Sequence, residues 1–232
     1  MLRTNLLKQK LQAGQTVYGL ISSIPAAAAI ELIAEAGFDF VIIDMEHVLI
    51  NPETVEHMIR TAESYGLTPL VRVADLNPKT LLRLLDGGAQ GIVLPMIPRT
   101  TGRGHRRLQV PPAWAAQPQC RASRRLRQAQ PGAVRWRGQC TDHAGGDDRE
   151  RRGRAPGRGD RRGTGPGHQQ ALLDSWQAAQ AAGVPYCTIP RQPGDAARWQ
   201  ERGVRAFVLG DERGIAFRAL QARLATLSAE GK

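Results

Sequence analysis

The sequence predicts a parallel α/β fold, a (β/α)8 (TIM) barrel that is here incomplete. Three observations carry that prediction. Strand and helix patterns alternate in units of about 25 residues. The strand patterns are continuous apolar runs, as expected of parallel strands covered on both faces. Polar side chains stand at the C-terminal ends of those strands, where such barrels build their active sites.

In chain order, Leu6–Ala13 reads as a short amphipathic helix and Val17–Ile21 as a strand. Pro25 opens a helix through Ala36, with Ile30, Leu32 and Ile33 as its apolar face and Gly37 as its stop. Phe40–Asp44 is an unbroken apolar strand ended by an acid. Asn51-Pro52-Glu53 starts a helix that runs to about Tyr65, and Leu70–Val73 is a third strand. Asn77-Pro78 starts a helix ending near Asp86-Gly87-Gly88, and Gly91–Pro95 is a fourth strand. The rhythm resumes at Gln170–Ala182, a helix, followed by strand Pro185–Ile189, helix Ala196–Glu201, strand Val204–Leu209 and helix Ile215–Leu227. The strand ends carry Ser22-Ser23, Asp44-Met45-Glu46-His47, Arg72 and Pro95-Met96. The chain is thus one barrel domain, residues 1–232. Residues 1–100 hold its first four βα units and residues 169–232 its C-terminal units.

The charge of the 232-residue chain is uneven. It holds 32 Lys+Arg against 21 Asp+Glu, a net charge of +11. Residues 1–100 hold 8 basic and 10 acidic side chains, and residues 169–232 hold 8 and 6, so the two flanks are together neutral. Residues 101–168 hold 16 Arg, no Lys and 5 acids, which is the whole excess. The balance therefore argues against a nucleic-acid partner for the protein as a whole. No apolar run reaches the roughly 18 residues of a membrane span. The start, Met1-Leu2-Arg3-Thr4-Asn5, lacks the apolar core of a signal peptide. Cys120, Cys140 and Cys187 make no disulfide framework, so a reducing cytoplasm is expected. Cys140-x-x-His143 with Cys120 and His168 fits no standard zinc spacing.

The basic block has two readings. It contains 12 Gly, no Ile, Phe, Met or Tyr, and only Leu108, Val110, Leu126 and Val134 as branched aliphatic residues. Taken literally, such a segment cannot bury enough apolar surface to offset its ordering entropy. It would be an irregular Arg/Gly-rich insertion, and Arg151–Gly165 resembles an RGG-type RNA-binding tract. The second reading uses the genetic code. Gly104–Val110, back-translated and read one base later, gives A-I-A-A-S-K-Y. Asp142–Glu150 in the same shifted frame gives T-M-L-V-A-M-I-E, a strand-like run ending in a carboxylate. The stretch around Trp114 to Arg121 shifts in the same way to P-G-R-R-S-L-N-A-G. On this reading the block is a frameshifted part of a GC-rich gene.

The flanks also carry a likeness. Ala36-Gly37-Phe38-Asp39-Phe40-Val41-Ile42-Ile43-Asp44-Met45-Glu46-His47 resembles the signature of the HpcH/HpaI aldolase family, of the 2-keto-3-deoxy-acid and 4-hydroxy-2-oxoheptanedioate kind. Leu70-Val71-Arg72-Val73, Leu85–Ile92 and Leu94-Pro95-Met96 resemble it too. The resemblance implies a barrel of the phosphoenolpyruvate/pyruvate type and a carbon–carbon lyase that releases pyruvate. It further implies a 2-oxo acid substrate, a divalent metal (Mg2+, Mn2+ or Co2+) and a homo-oligomer. His47 would match the family's base, Asp86 the carboxylate that supports it, and Arg72 the cation that binds substrate and stabilises oxyanion charge. Each has a structural alternative. His47 follows a strand and an acidic pair, Arg72 needs an ion-pair partner in an apolar strand, and Asp86 stands where a helix end is shaped. Asp44 and Glu46 would touch either metal-bound water or only backbone.

The family's two metal ligands, a Glu ending an M-I-E strand and an Asp in G-P-x-D-L, are absent in this frame, so no metal ligand is assigned. Glu150 and Asp160 lie nearby in sequence without support as substitutes. The chain as written is expected to have little or no aldolase activity. Ser22-Ser23-Ile24-Pro25 and His47–Thr54 resemble a siderophore-associated branch in which oxaloacetate and an acetyl thioester form citrate. Aldol cleavage is the first reading and citrate formation the second.

Overall fold

A computed structural model describes residues 4–94 and 166–230, with side chains from 169 to 228 in the second stretch. The Arg-rich block lies outside the described residues, and so do Pro95, Met96, Cys120, Cys140, His143, Glu150, Asp160 and the His168 side chain. In chain order the elements are α1 (Leu6–Gln12), β1 (Val17–Ser22), α2 (Ala27–Glu35), β2 (Phe40–Asp44), α3 (Pro52–Ser64), β3 (Thr68–Arg72), α4 (Pro78–Gly87) and β4 (Gly91–Val93). After the gap come α5 (Pro166–Ala181), β5 (Cys187–Thr188), α6 (Asp195–Glu201), β6 (Ala206–Asp211) and α7 (Glu212–Glu230).

All pairings are parallel, and the strand order is β4-β3-β2-β1-β6-β5. The last strand pairs with the first, as it must when a (β/α)8 ring closes. Six of the eight ring positions are therefore filled in the correct order, and the sheet is a curled part of a barrel. Among the described residues β4 and β5 are the outer strands.

The alternation along each strand explains the continuous apolar runs. Val17, Ile21, Phe40, Ile42, Leu70, Val93, Ala206 and Val208 face one cluster, the barrel interior. Leu7 of α1 completes it, closing the N-terminal end of the sheet. The intervening residues Leu20, Val41, Ile43 and Val71 face outward and pack on Ile30 and Ile33 of α2 and on Val55, Met58 and Ile59 of α3. Phe40 fills the interior only because residue 19 is glycine. A Cβ there would stand 2.2 Å from the Phe40 ring.

Local sequence sets the element ends. Asn51 accepts from the Thr54 amide (2.8 Å) and Asn77 from the Lys79 amide (2.9 Å), each capping a helix with proline in its first turn. Several strand limits differ from expectation, and β6 runs Ala206–Asp211 rather than Val204–Leu209. β3 begins at Thr68, through Pro69, because the Pro69 carbonyl turns toward Gln90, before β4 begins, so no ladder donor is missed there. β5 is confined to Cys187–Thr188 and β4 to Gly91–Val93, shorter than predicted. α7 starts at Glu212, directly after β6 and without a connecting loop.

Candidate active site

The C-terminal ends of β2 and β3 bring two charges together inside the barrel. Asp44 and Arg72 are in register across the β2–β3 pair, and both are buried, at 2% and 3% exposure. The Arg72 guanidinium donates twice to Asp44, Nε to Oδ1 at 2.9 Å and Nη2 to Oδ2 at 2.7 Å. This fork geometry gives the strongest kind of ion pair. The chain then turns sharply, and the amides of Glu46 (2.9 Å) and His47 (3.2 Å) donate back to Asp44 Oδ1. Burial pulls the Asp44 carboxyl upward. The Arg72 hydrogen bonds and charge, with the two amides, outweigh it and hold Asp44 below the ordinary 3.8.

Glu46 and His47 stand at the rim of this pair. Glu46 Oε2 lies 3.6 Å from Arg72 Nε. His47 Nδ1 lies 3.8 Å from both Asp44 Oδ2 and Glu46 Oε2, and its side chain is 39% exposed. An imidazole so placed is open to solvent on one side and faces two acids on the other, which suits proton movement. The structural ion pair anticipated for Arg72 is present, and Asp44 meets backbone amides rather than serving only the rim.

Asp86 is placed elsewhere. It lies half-buried in the last turn of α4, which delivers the chain to the N-terminal end of β4. His47 and Arg72 stand at the opposite end of the sheet, so within one chain the fold separates Asp86 from them.

A second acidic group, unread from the sequence, also stands on the C-terminal face. Asp211 and Glu212 follow β6, beside Ser22 and Ser23 of β1. The signal was available, because Phe207-Val208-Leu209-Gly210-Asp211-Glu212 repeats the pattern of β2, an apolar run ended by acids.

The described residues do not fit a divalent metal. Among them no three His, Cys, Asp or Glu side chains converge as a metal would require. Both Asp44 oxygens are already spent on Arg72 and on two amides. No catalytic step is therefore assigned to a metal here.

The Asp44–Arg72 pair makes stability depend on acid. Because folding lowers the Asp44 pKa, the pair's contribution is complete above the unfolded value and is lost as pH falls through the folded one. The urea midpoint should hold steady at neutral pH and drop below about pH 4. The Asp44→Asn protein should show a shallower drop over the same range. An equal slope in both proteins would assign the acid lability to other groups.

Comparison with known proteins agrees with this geometry. Residues 17–101 match the family model described as HpcH/HpaI aldolase/citrate lyase. A pyruvate aldolase from Rhizobium etli is 36% identical over 96 residues, 41% of this chain and 38% of that protein. A 4-hydroxy-2-oxo-heptane-1,7-dioate aldolase from Salmonella dublin is 38% identical over 93 residues, 40% of this chain and 35% of that protein. The chain thus spans less than two fifths of the length of these relatives. Among solved structures, the citrate synthase SbnG superposes with a TM-score of 0.71 at 28% identity, over 97% of this chain and 98% of its own. Macrophomate synthase, at 21% identity and a TM-score of 0.65 over 97% of this chain and 89% of its own, shares the fold. Over residues 17–101, the chain is therefore similar to the HpcH/HpaI aldolase/citrate lyase family.

Proposed function

We propose that the gene encodes a carbon–carbon lyase of the pyruvate-aldolase type, cleaving a 2-keto-3-deoxy or 4-hydroxy-2-oxo acid to pyruvate and an aldehyde, and that this chain is an impaired form of it. One observation carries the reading. Asp44, Glu46, His47 and Arg72 meet at the C-terminal ends of adjacent parallel strands, inside the segment whose sequence matches that family.

In this reading His47 takes the proton of the substrate's C4 hydroxyl as the C3–C4 bond breaks. The hydroxyl carbon leaves as the aldehyde, and the bonding pair passes into the 2-oxo group as an enolate. The Arg72 guanidinium, oriented by Asp44, stabilises the oxyanion, and a proton returned to C3 gives pyruvate. Asp86 stays in the scheme only through the resemblance, since the acids beside His47 in the fold are Asp44 and Glu46. In intact relatives a divalent metal would add electrophilic stabilisation of the enolate.

Residues 101–168 are part of the proposal as a shifted reading frame. Sequencing the gene tests it directly, because stop codons or a missing M-I-E run in the adjacent frame would reject the shift. The frame-restored protein, given a 4-hydroxy-2-oxo acid and Mg2+, should release pyruvate, and the chain as written little or none. No pyruvate from the restored protein would reject the lyase reading.

The second reading is citrate formation from oxaloacetate and acetyl-CoA, favoured by the superposition on the citrate synthase SbnG. The restored protein would then make citrate from those two substrates. A reducing cytoplasm also belongs to the proposal.

A homo-oligomer also belongs to the proposal. Phe217, Leu220, Leu224 and Leu227 recur at helical spacing on α7, and each is at least 50% exposed. Sedimentation equilibrium should show self-association that weakens in Leu220→Glu, and a wild-type monomer at high concentration would count against it.

A further inference from the structure

Glu212 is only 6% exposed, yet it stands outside the site described above. Its Oε1 accepts three hydrogen bonds from the end of β1 and the loop after it: the Ser22 hydroxyl at 3.1 Å, the Ser23 amide at 2.6 Å and the Ile24 amide at 2.5 Å. Its Oε2 is buried with no hydrogen-bond partner among the described residues. The adjacent Asp211 braces the same corner, accepting from the Gly214 amide at 2.7 Å and approaching the Ser23 hydroxyl at 3.5 Å.

A bulge aims this carboxylate. Gly19 pairs with Val208 but Ile21 pairs with Asp211, so β6 carries one extra residue against β1. Gly210 absorbs it at φ +114°, which glycine adopts without strain. The end of β6 is thereby turned toward the β1 loop. That loop neighbours the candidate site, because Ser22 is in register with Ile43, one residue before Asp44.

We propose that Glu212 is a positioning residue for the candidate site, holding Ser22, Ser23 and Ile24 as its wall on the β1 side. The inference rests on the lyase reading for what the site binds. The wall has a definite electrostatic character. Successive free amides would invite an anion, but here the Ser23 and Ile24 amides are spent on a buried carboxylate. Among the described residues no cation stands within ion-pair distance of Glu212. The β1 side therefore repels a substrate carboxylate, which is left to the Arg72 side. One group thus fixes both the shape of the wall and the direction from which a 2-oxo acid is held.

The test uses the full chain and the variants Glu212→Gln and Glu212→Ala. Amide hydrogen exchange is read residue by residue, and pyruvate is titrated as the probe while the Ser23 and His47 amide signals are followed. A hydrogen bond to a charged group sets the expected size. Exchange at Ser23 and Ile24 should quicken by roughly ten- to a hundredfold in Glu212→Ala. Glu212→Gln, which keeps one acceptor oxygen, should recover part of that protection, and Ile42 and Leu70 in the β2–β3 pair should keep theirs. Because it removes the charge of the wall and keeps its shape, Glu212→Gln should bind pyruvate about fivefold or more tightly than wild type. Unchanged exchange at Ser23 and Ile24, or equal pyruvate affinity in wild type and Glu212→Gln, overturns the positioning role. A wild-type chain that binds no pyruvate overturns the electrostatic part of the role and leaves the lyase reading to the frame-restored protein, while the exchange arm still decides whether Glu212 holds the wall.

Discussion

Replacing Arg72 by methionine should lower the stability of the chain by about 3–5 kcal/mol, measured by urea unfolding. The size follows from what is left behind. Asp44 is 2% exposed, and without the guanidinium its charge keeps only the amides of Glu46 and His47. A domain commonly has only about 5–15 kcal/mol in total, so the variant would approach the unfolding threshold. The double variant Arg72→Met with Asp44→Leu should recover much of the loss, because replacing both charges leaves neither one buried alone. The coupling energy from that double-mutant cycle should be large and favourable to the pair. Additive losses would show that the pair is a crossing of two independent contacts.

The second large effect is catalytic. In the frame-restored protein, His47→Gln should lower kcat by about 10²- to 10⁴-fold, the range for loss of a positioned general base. Stability should move by no more than about 0.5 kcal/mol, because the side chain is 39% exposed and no core contact depends on it. The two substitutions therefore separate what holds the site together from what acts in it. Pyruvate release at the wild-type rate from His47→Gln would remove the imidazole from the mechanism.

The legible parts of this fold share a physical reason. Phe40–Asp44 is buried on both faces at every position, so its composition alone identifies it. Asn51-Pro52 and Asn77-Pro78 start helices through contacts made within a few residues. Features that depend on a distant neighbour were less legible. Pro69 looks like a strand breaker until β4 is seen to begin one residue beyond it. The short β5 depends on what lies beside it. In the site, the residue types at the strand ends were readable, but the partner of Arg72 was fixed by strand register, 28 positions away in sequence. Glu212 escaped notice because its three donors lie near position 23. Asp86 was carried by resemblance, and its helix places it at the other end of the sheet.

The pairing of β1 with β6 also sets a clock on synthesis. β1, β2 and β3 each pair with the next strand in sequence, so that part of the sheet assembles as it leaves the ribosome. The other edge of β1 waits for Ala206–Asp211, because Val17 is joined to Ala206. Closing so long a loop adds little equilibrium cost but delays the contact. A nascent chain therefore carries a bare, apolar strand edge until Ala206–Asp211 has been made, and such edges recruit other chains. Yield in the cell should thus depend on how quickly the last strand arrives as much as on the stability of the finished sheet.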